Sequence, residues 1–132
     1  AMANATRLSA SHIKYLLLLQ KLDNHGKGVR GSDLATALGV TKPSVHTMLR
    51  TLQERELVSQ PSRCAAHLTP AGAAVAQRYG EYYAAICTML SQYSPPDGEM
   101  TDAVYALLSE LPEEYLDALC RSIRQQHATA QV

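Results

Sequence analysis

The sequence predicts a mostly α-helical fold, and three observations carry that expectation. Tyr is the only aromatic residue, seven copies with no Phe and no Trp, so a core must be assembled from Leu, Ala, Val, Ile and Met, mostly helix formers. Apolar residues recur at three- and four-residue spacing along most of the chain, the period of a helix. Several of these stretches open at a Ser, Thr or Pro signal and stop at Gly or Pro, as capped helices do.

The first helix is expected over Ser11 to Leu22, where Ile13, Leu16, Leu17, Leu19 and Leu22 are dense enough for a mostly buried element; His25-Gly26-Lys27-Gly28 ends it. Ser32 is the expected N-cap of a short helix over Asp33 to Leu38, whose Leu34, Ala35 and Leu38 share a face, with Gly39 as its stop. A third helix follows with Thr41 or Lys42 as its cap, Pro43 in its first turn, and Val45, Met48, Leu49 and Leu52 pointing inward. Leu57-Val58-Ser59 and Ala66-His67-Leu68 flank a polar turn as the two strands of a small hairpin.

Thr69 then caps and Pro70 opens a helix of about six turns that runs to Ser94-Pro95-Pro96-Asp97-Gly98. Gly72, Val75, Tyr79, Tyr82, Ile86, Met89 and Tyr93 alternate three and four apart along it, the spacing of a coiled-coil seam. Val104, Leu107, Leu108 and Leu111 mark a short helix, and Pro112-Glu113-Glu114 opens a last one along Leu116, Leu119, Cys120 and Ile123. The resulting architecture is a winged helix-turn-helix with a two-stranded wing, followed by a long helix and a short helical region. Residues 1–10 read as an N-terminal tail, 11–70 as the winged helix, 71–125 as a helical dimerisation region and 126–132 as a flexible tail. Val75, Tyr79, Tyr82, Ile86 and Met89 are the expected contacts of a homodimer.

Length and charge narrow the function. The 132 residues suit one domain, or one with a short appendage, with room for a real core but not for a barrel enzyme. Twelve Lys and Arg balance twelve Asp and Glu, so the molecule as a whole is not a polycation that clings to any nucleic acid. The charge is unevenly placed. Residues 27–63 hold six Lys and Arg against three carboxylates, whereas residues 79–120 hold eight carboxylates and no Lys or Arg. The longest apolar run, Tyr15 to Leu19, is far short of the roughly 20 residues of a membrane helix, and no charged-then-apolar leader opens the chain. With Cys64, Cys87 and Cys120 odd in number and widely spaced, reduced thiols in a cytoplasm are expected.

With its apolar side turned inward, the third helix sends Lys42, Ser44, His46, Thr47, Arg50 and Thr51 toward solvent, with no carboxylate before Glu54. Such a face can enter a major groove of double-stranded DNA without repelling phosphate. Pro43, Ser44 and Thr47 are best placed for base edges; Thr41, Lys42, His46 and Arg50 suit phosphates. Arg63 in the hairpin turn and Arg30 before the second helix would reach the flanking backbone.

Arg30-Gly-Ser-Asp-Leu-Ala-Thr-Ala-Leu-Gly-Val, Thr41-Lys-Pro-Ser-Val-His-Thr-Met-Leu-Arg-Thr-Leu, Leu57-Val58 and Leu68-Thr-Pro-Ala-Gly72 resemble the winged-helix half of the DtxR/MntR-type metal-dependent repressors. The likeness covers residues 11–90 and weakens toward 124. It implies a bacterial transcription factor that dimerises through helices after the wing and binds palindromic operators in response to iron or manganese. The ligand positions depart from that pattern. The family's His and Glu on the long helix fall at Tyr83 and Cys87, its later Glu-x-x-Glu-His cluster at Asp102, Tyr105 and Ala106, and its first-helix ligand near Ile13 or Lys14. Cys87, Asp102, His12 and Glu81 are left as candidates for a rebuilt divalent-metal site, a set that would favour zinc over manganese.

Other signals carry less. Gly26-Lys-Gly-Val-Arg-Gly31 spells a dinucleotide fingerprint, but a helix precedes it and no βαβ unit follows. Cys64 and His67 form a C-x-x-H pair with no second pair, and Cys64 beside Arg63 has the setting of an acidified thiol. No hydrolase, metalloprotease or Walker sequence is present, so an enzyme is not expected. Two rival readings stand beside the first. One is a MarR-type regulator responding to a small molecule or to thiol oxidation, although the wing lacks Asp-x-Arg. The other is a winged helix that binds only proteins.

Overall fold

The computed structural model describes residues 7–23, 25–61, 65–93 and 101–130, the last four as helical backbone. Helices and strands follow in the order α1 (Ala10–Leu22), α2 (Gly31–Leu38), α3 (Lys42–Glu54), β1 (Val58–Ser59), β2 (His67–Leu68), α4 (Pro70–Ser91), α5 (Thr101–Glu110) and α6 (Glu113–Ala130). This is the winged helix-turn-helix expected above. The chain divides into two compact units, Lys14–Gln77, and Arg78–Val132 together with Ala1–Ile13.

In the winged unit, Tyr15, Leu16 and Leu19 of α1, Leu34 and Ala35 of α2, and Val45, Leu49 and Leu52 of α3 are buried. The turn between α2 and α3 is closed by Gly39 at φ 68°, whose N–H bonds back to Thr36 while that of Val40 reaches Ala35. An L residue would be strained there, so glycine is the natural stop. Thr41 caps α3 by accepting from the Ser44 N–H at 3.2 Å. Antiparallel pairing sets Val58 against Leu68 and Ser59 against His67.

Ser32 is not the cap of α2. Val29 and Ala66 exchange both backbone hydrogen bonds at 2.9 Å, a bridge that extends the chain through Arg30 (φ −72°, ψ 145°) and starts the helix at Gly31. Arg30 is thus the N-cap, without a side-chain bond, and Ser32 sits inside the first turn. Ala66 serves this bridge rather than β2, and Leu57 lies outside β1.

Gly72 is required where α4 leaves the wing. A Cβ at this position would collide with the Leu57 carbonyl oxygen, which accepts from the Thr69 N–H at 3.1 Å. Thr69 fixes the approach, its hydroxyl donating to the Glu56 carbonyl at 2.7 Å and accepting from the Gly72 N–H at 3.0 Å.

In the second unit, residues 7–9 are not a loose tail. Leu8 is buried, and Arg7 Nε donates to the Ser109 carbonyl at 2.7 Å. Ser9 and His12 cap α1 reciprocally, Ser9 Oγ accepting from the His12 N–H at 3.1 Å and His12 Nδ1 from the Ser9 N–H at 3.0 Å. The helix therefore starts at Ala10, one residue before the expected start. Nor does the chain fray at 126. Helix α6 continues to Ala130 because no Gly or Pro interrupts it. The expected Ser94–Gly98 break lies outside the described residues.

Candidate nucleic-acid interface

Helix α3 presents two unlike sides. Val45, Leu49 and Leu52 are buried, whereas Thr41, Lys42, Pro43, Ser44, His46, Thr47 and Arg50 are exposed and Thr51 is half-buried. The amphipathic spacing of the sequence is the cause. Arg30 is exposed as well. It joins Ser32, Lys42, Val45, His46, Leu49 and Gln60 around a cleft of about 400 Å³ that opens beside the first turns of α2 and α3. Arg63 and Cys64 lie outside the described residues, and so does any contact of the hairpin turn that depends on them.

The hydroxyls on α3 are already partly used. Thr47 Oγ1 donates to the Pro43 carbonyl at 3.0 Å and Thr51 Oγ1 to the Thr47 carbonyl at 3.1 Å. Pro43 cannot donate a backbone N–H, yet its carbonyl still receives this bond. Ser44 Oγ accepts from Thr41 Oγ1 at 2.9 Å and keeps its own proton for an outside acceptor. Arg50 Nη2 lies 3.4 Å from His46 Nε2, one turn apart, so the two phosphate candidates stand together on one strip. Sequence reasoning did not find Gln60, which enters the cleft and meets Gln53 at 3.4 Å. No local signal marks it, because its position depends on how the hairpin folds back.

The second unit is built differently. Tyr79 and Tyr82 pack edge to face with centroids 5.2 Å apart, and each is almost fully buried. Tyr79 donates to Glu113 at 3.4 Å and Tyr82 to Asp117, both carboxylates on α6. Burial first, then the Glu113 carboxylate, pushes the Tyr79 hydroxyl up to about 12; burial, then the bond to Asp117, raises Tyr82 still further. This corrects the expected homodimer seam. Tyr79, Tyr82 and Ile86 are core of their own chain, and only Val75 and Met89 of that set are partly open. A three-and-four spacing marks a covered stripe without saying what covers it.

The metal candidates do not assemble. Among the described residues, no three His, Cys, Asp or Glu side chains come together as an ion would require. His12 Nδ1 is occupied by the Ser9 N–H, and the ring of Tyr83 packs on that of Tyr105 at 5.2 Å, where the family pattern has ligands. Among the described residues, the side chains at these positions do not fit the divalent ion that the resemblance implied. Cys120 is buried, which raises its thiol, so it is not an activated nucleophile.

Helix, glycine-closed turn, helix and wing define the class: a winged helix-turn-helix protein. Residues 13–62, less than half of the chain, match the IclR helix-turn-helix domain. The fold is similar to that of T. acidophilum IdeR (TM-score 0.66, 20% identity, 84% of this chain and 53% of that one). It is also similar to SSo2273, a hypothetical protein from Sulfolobus solfataricus (0.68, 21%, 88% and 89%), and to ScaR with bound Zn2+ (0.67, 17%, 86% and 53%). The chain spans about half the length of IdeR and ScaR. No curated protein sequence matches it significantly. No helix among the described residues is long and apolar enough to cross a membrane.

Proposed function

We propose that the chain is a sequence-specific transcriptional regulator that binds a two-fold operator as a homodimer, one α3 in each of two successive major grooves. Within that reading its architecture is that of the DtxR/MntR-type repressors, and it acts in the cytoplasm. The observation that carries the reading is the α3 face, exposed from Thr41 to Arg50 and free of carboxylates until Glu54, with Arg30 and Lys42 beside it. Pro43, Ser44 and Thr47 read bases; Thr41, Lys42, His46, Arg50, Arg30 and Arg63 hold phosphates. Dimerisation falls to the helical region 71–125, through surfaces other than the buried tyrosines.

Fluorescence anisotropy with random duplex DNA at two salt concentrations tests it. Binding at low salt that weakens steeply as salt rises is the expected result. An absence of binding at low salt would leave the protein-interaction reading in its place. Sedimentation equilibrium reads the assembly directly, and a monomer at all concentrations refutes the two-fold part.

A further inference from the structure

The cleft beside α2 and α3 draws its polar lining from three separate stretches of chain: Arg30 before α2, Lys42 and His46 on α3, and Gln60 just past β1. Buried Val45 and Leu49 supply its apolar part. The positive charge there is uncompensated. Among the described residues neither Arg30 nor Lys42 forms an ion pair, and Asp33, the acid nearest to Arg30 in sequence, is not in the lining. Gln60 adds a group of another kind. Its Oε1 accepts from Gln53 Nε2 at 3.4 Å, which leaves both Nε2 protons of Gln60 for a different acceptor. An amide with two unspent protons beside two unbalanced cations matches an oxyanion, and on a DNA-binding face that oxyanion is a phosphodiester of the duplex.

We propose that this cleft seats one backbone phosphate of bound DNA, and that Gln60 is a direct phosphate contact supplied by the wing and held in place by Gln53 of α3. The inference rests on the DNA-binding reading above and adds to it a contact that carries no charge. Arg30 and Lys42 attract a phosphate over a distance, whatever its exact position, whereas the Gln60 amide rewards it only within hydrogen-bond reach. Gln60 therefore sets how closely the duplex settles between the wing and α3. Gln53 is a positioning residue, acting through the Gln60 oxygen that it holds.

The test uses the full chain and a random-sequence duplex, with anisotropy for affinity and NMR of the Gln60 side-chain amide for contact. Duplex should shift the Gln60 Nε2 protons saturably. Gln60→Met, which keeps the length and removes the donor, should weaken binding about tenfold, the scale of one hydrogen bond to a charged group, and leave the salt slope unchanged, because a neutral donor displaces no counterion. Arg30→Ala and Lys42→Ala should each reduce that slope by about 1. Gln53→Met should weaken binding by less than Gln60→Met and cost nothing further once Gln60 is Met. Full affinity in Gln60→Met, a changed salt slope in that variant, an unmoved Gln60 amide, or losses from Gln53 and Gln60 that simply add would each overturn the assignment and leave the DNA-binding reading standing. An unaltered chain that binds no duplex at low salt removes both. Inorganic phosphate that saturates the Gln60 shift at concentrations comparable to the duplex would make the seat one for a free anion, and would overturn the proposal as well.

Discussion

The winged unit and the helical unit use the same restricted set of residues for opposite ends. In Lys14–Gln77 the buried side chains are apolar apart from Tyr15, and the polar groups of α3 face outward, held by short bonds to their own helix. In the other unit two tyrosines go inside with their hydroxyls anchored to carboxylates 34 and 35 residues away. With no Phe or Trp available, Tyr is the one large ring, and its burial demands a partner for the oxygen. The difference teaches that the carboxylates of residues 79–120 are not simply a solvated acidic surface. Glu113 and Asp117 are structural acceptors, and Glu81 pairs with Arg124 at 3.2 Å.

The comparison can be broken first at the wing. Gly72→Ala should cost more than about 3 kcal/mol, because backbone meets the new methyl and neither side chain nor rotamer can yield. Thermal unfolding measures this, and a change below about 1 kcal/mol would mean that the approach of α4 to Leu57 is loose. In the helical unit, Tyr82→Phe should lose about 1.5–3 kcal/mol as one bond to a carboxylate goes, while Tyr93→Phe, 82% exposed, should change nothing.

Alkali should sharpen the contrast. Tyr79 titrates near 12 when folded and near 10 when unfolded, so above pH 10 the unfolded chain loses its proton first. The stability this tyrosine gives is complete below pH 10 and disappears as pH rises toward 12. Circular dichroism should therefore show unfolding in step with tyrosinate absorbance between those values, and Tyr79→Phe should flatten that limb. The smallest effects belong to α3. Arg50→Ala should weaken all duplexes alike and reduce the salt slope by about 1, whereas Thr47→Ala should relax sequence preference by about 1 kcal/mol at one base step. Identical, sequence-independent losses from both would remove Thr47 from the base-reading set.

Much of this was legible because it is local. The Thr41 cap, the Gly39 stop, the Pro70 start and the two faces of α3 are each fixed within one or two turns of chain. Whatever depends on distant partners was not. The start of α2 is set by the Val29–Ala66 bridge, 37 positions apart in sequence, which no property of Ser32 announces. The stripe on α4 was visible, but the bonds from Tyr79 and Tyr82 to α6 show that its cover comes from the same chain. His12, Cys87 and Asp102 had the chemistry of ligands and lacked only convergence, a property of folded space alone.

In the proposed complex one small bond on α3 would limit what an operator can contain. With its proton committed to the Pro43 carbonyl, the Thr47 hydroxyl can only receive, while the neighbouring Ser44 hydroxyl can give. Under the proposed reading Thr47, with that bond kept, would suit the amino group of adenine or cytosine, or a thymine methyl against its own, rather than the oxygen and nitrogen that guanine displays. In the same proposed complex guanine would be met one turn earlier, at Ser44, which would give the helix a polarity along a half-site.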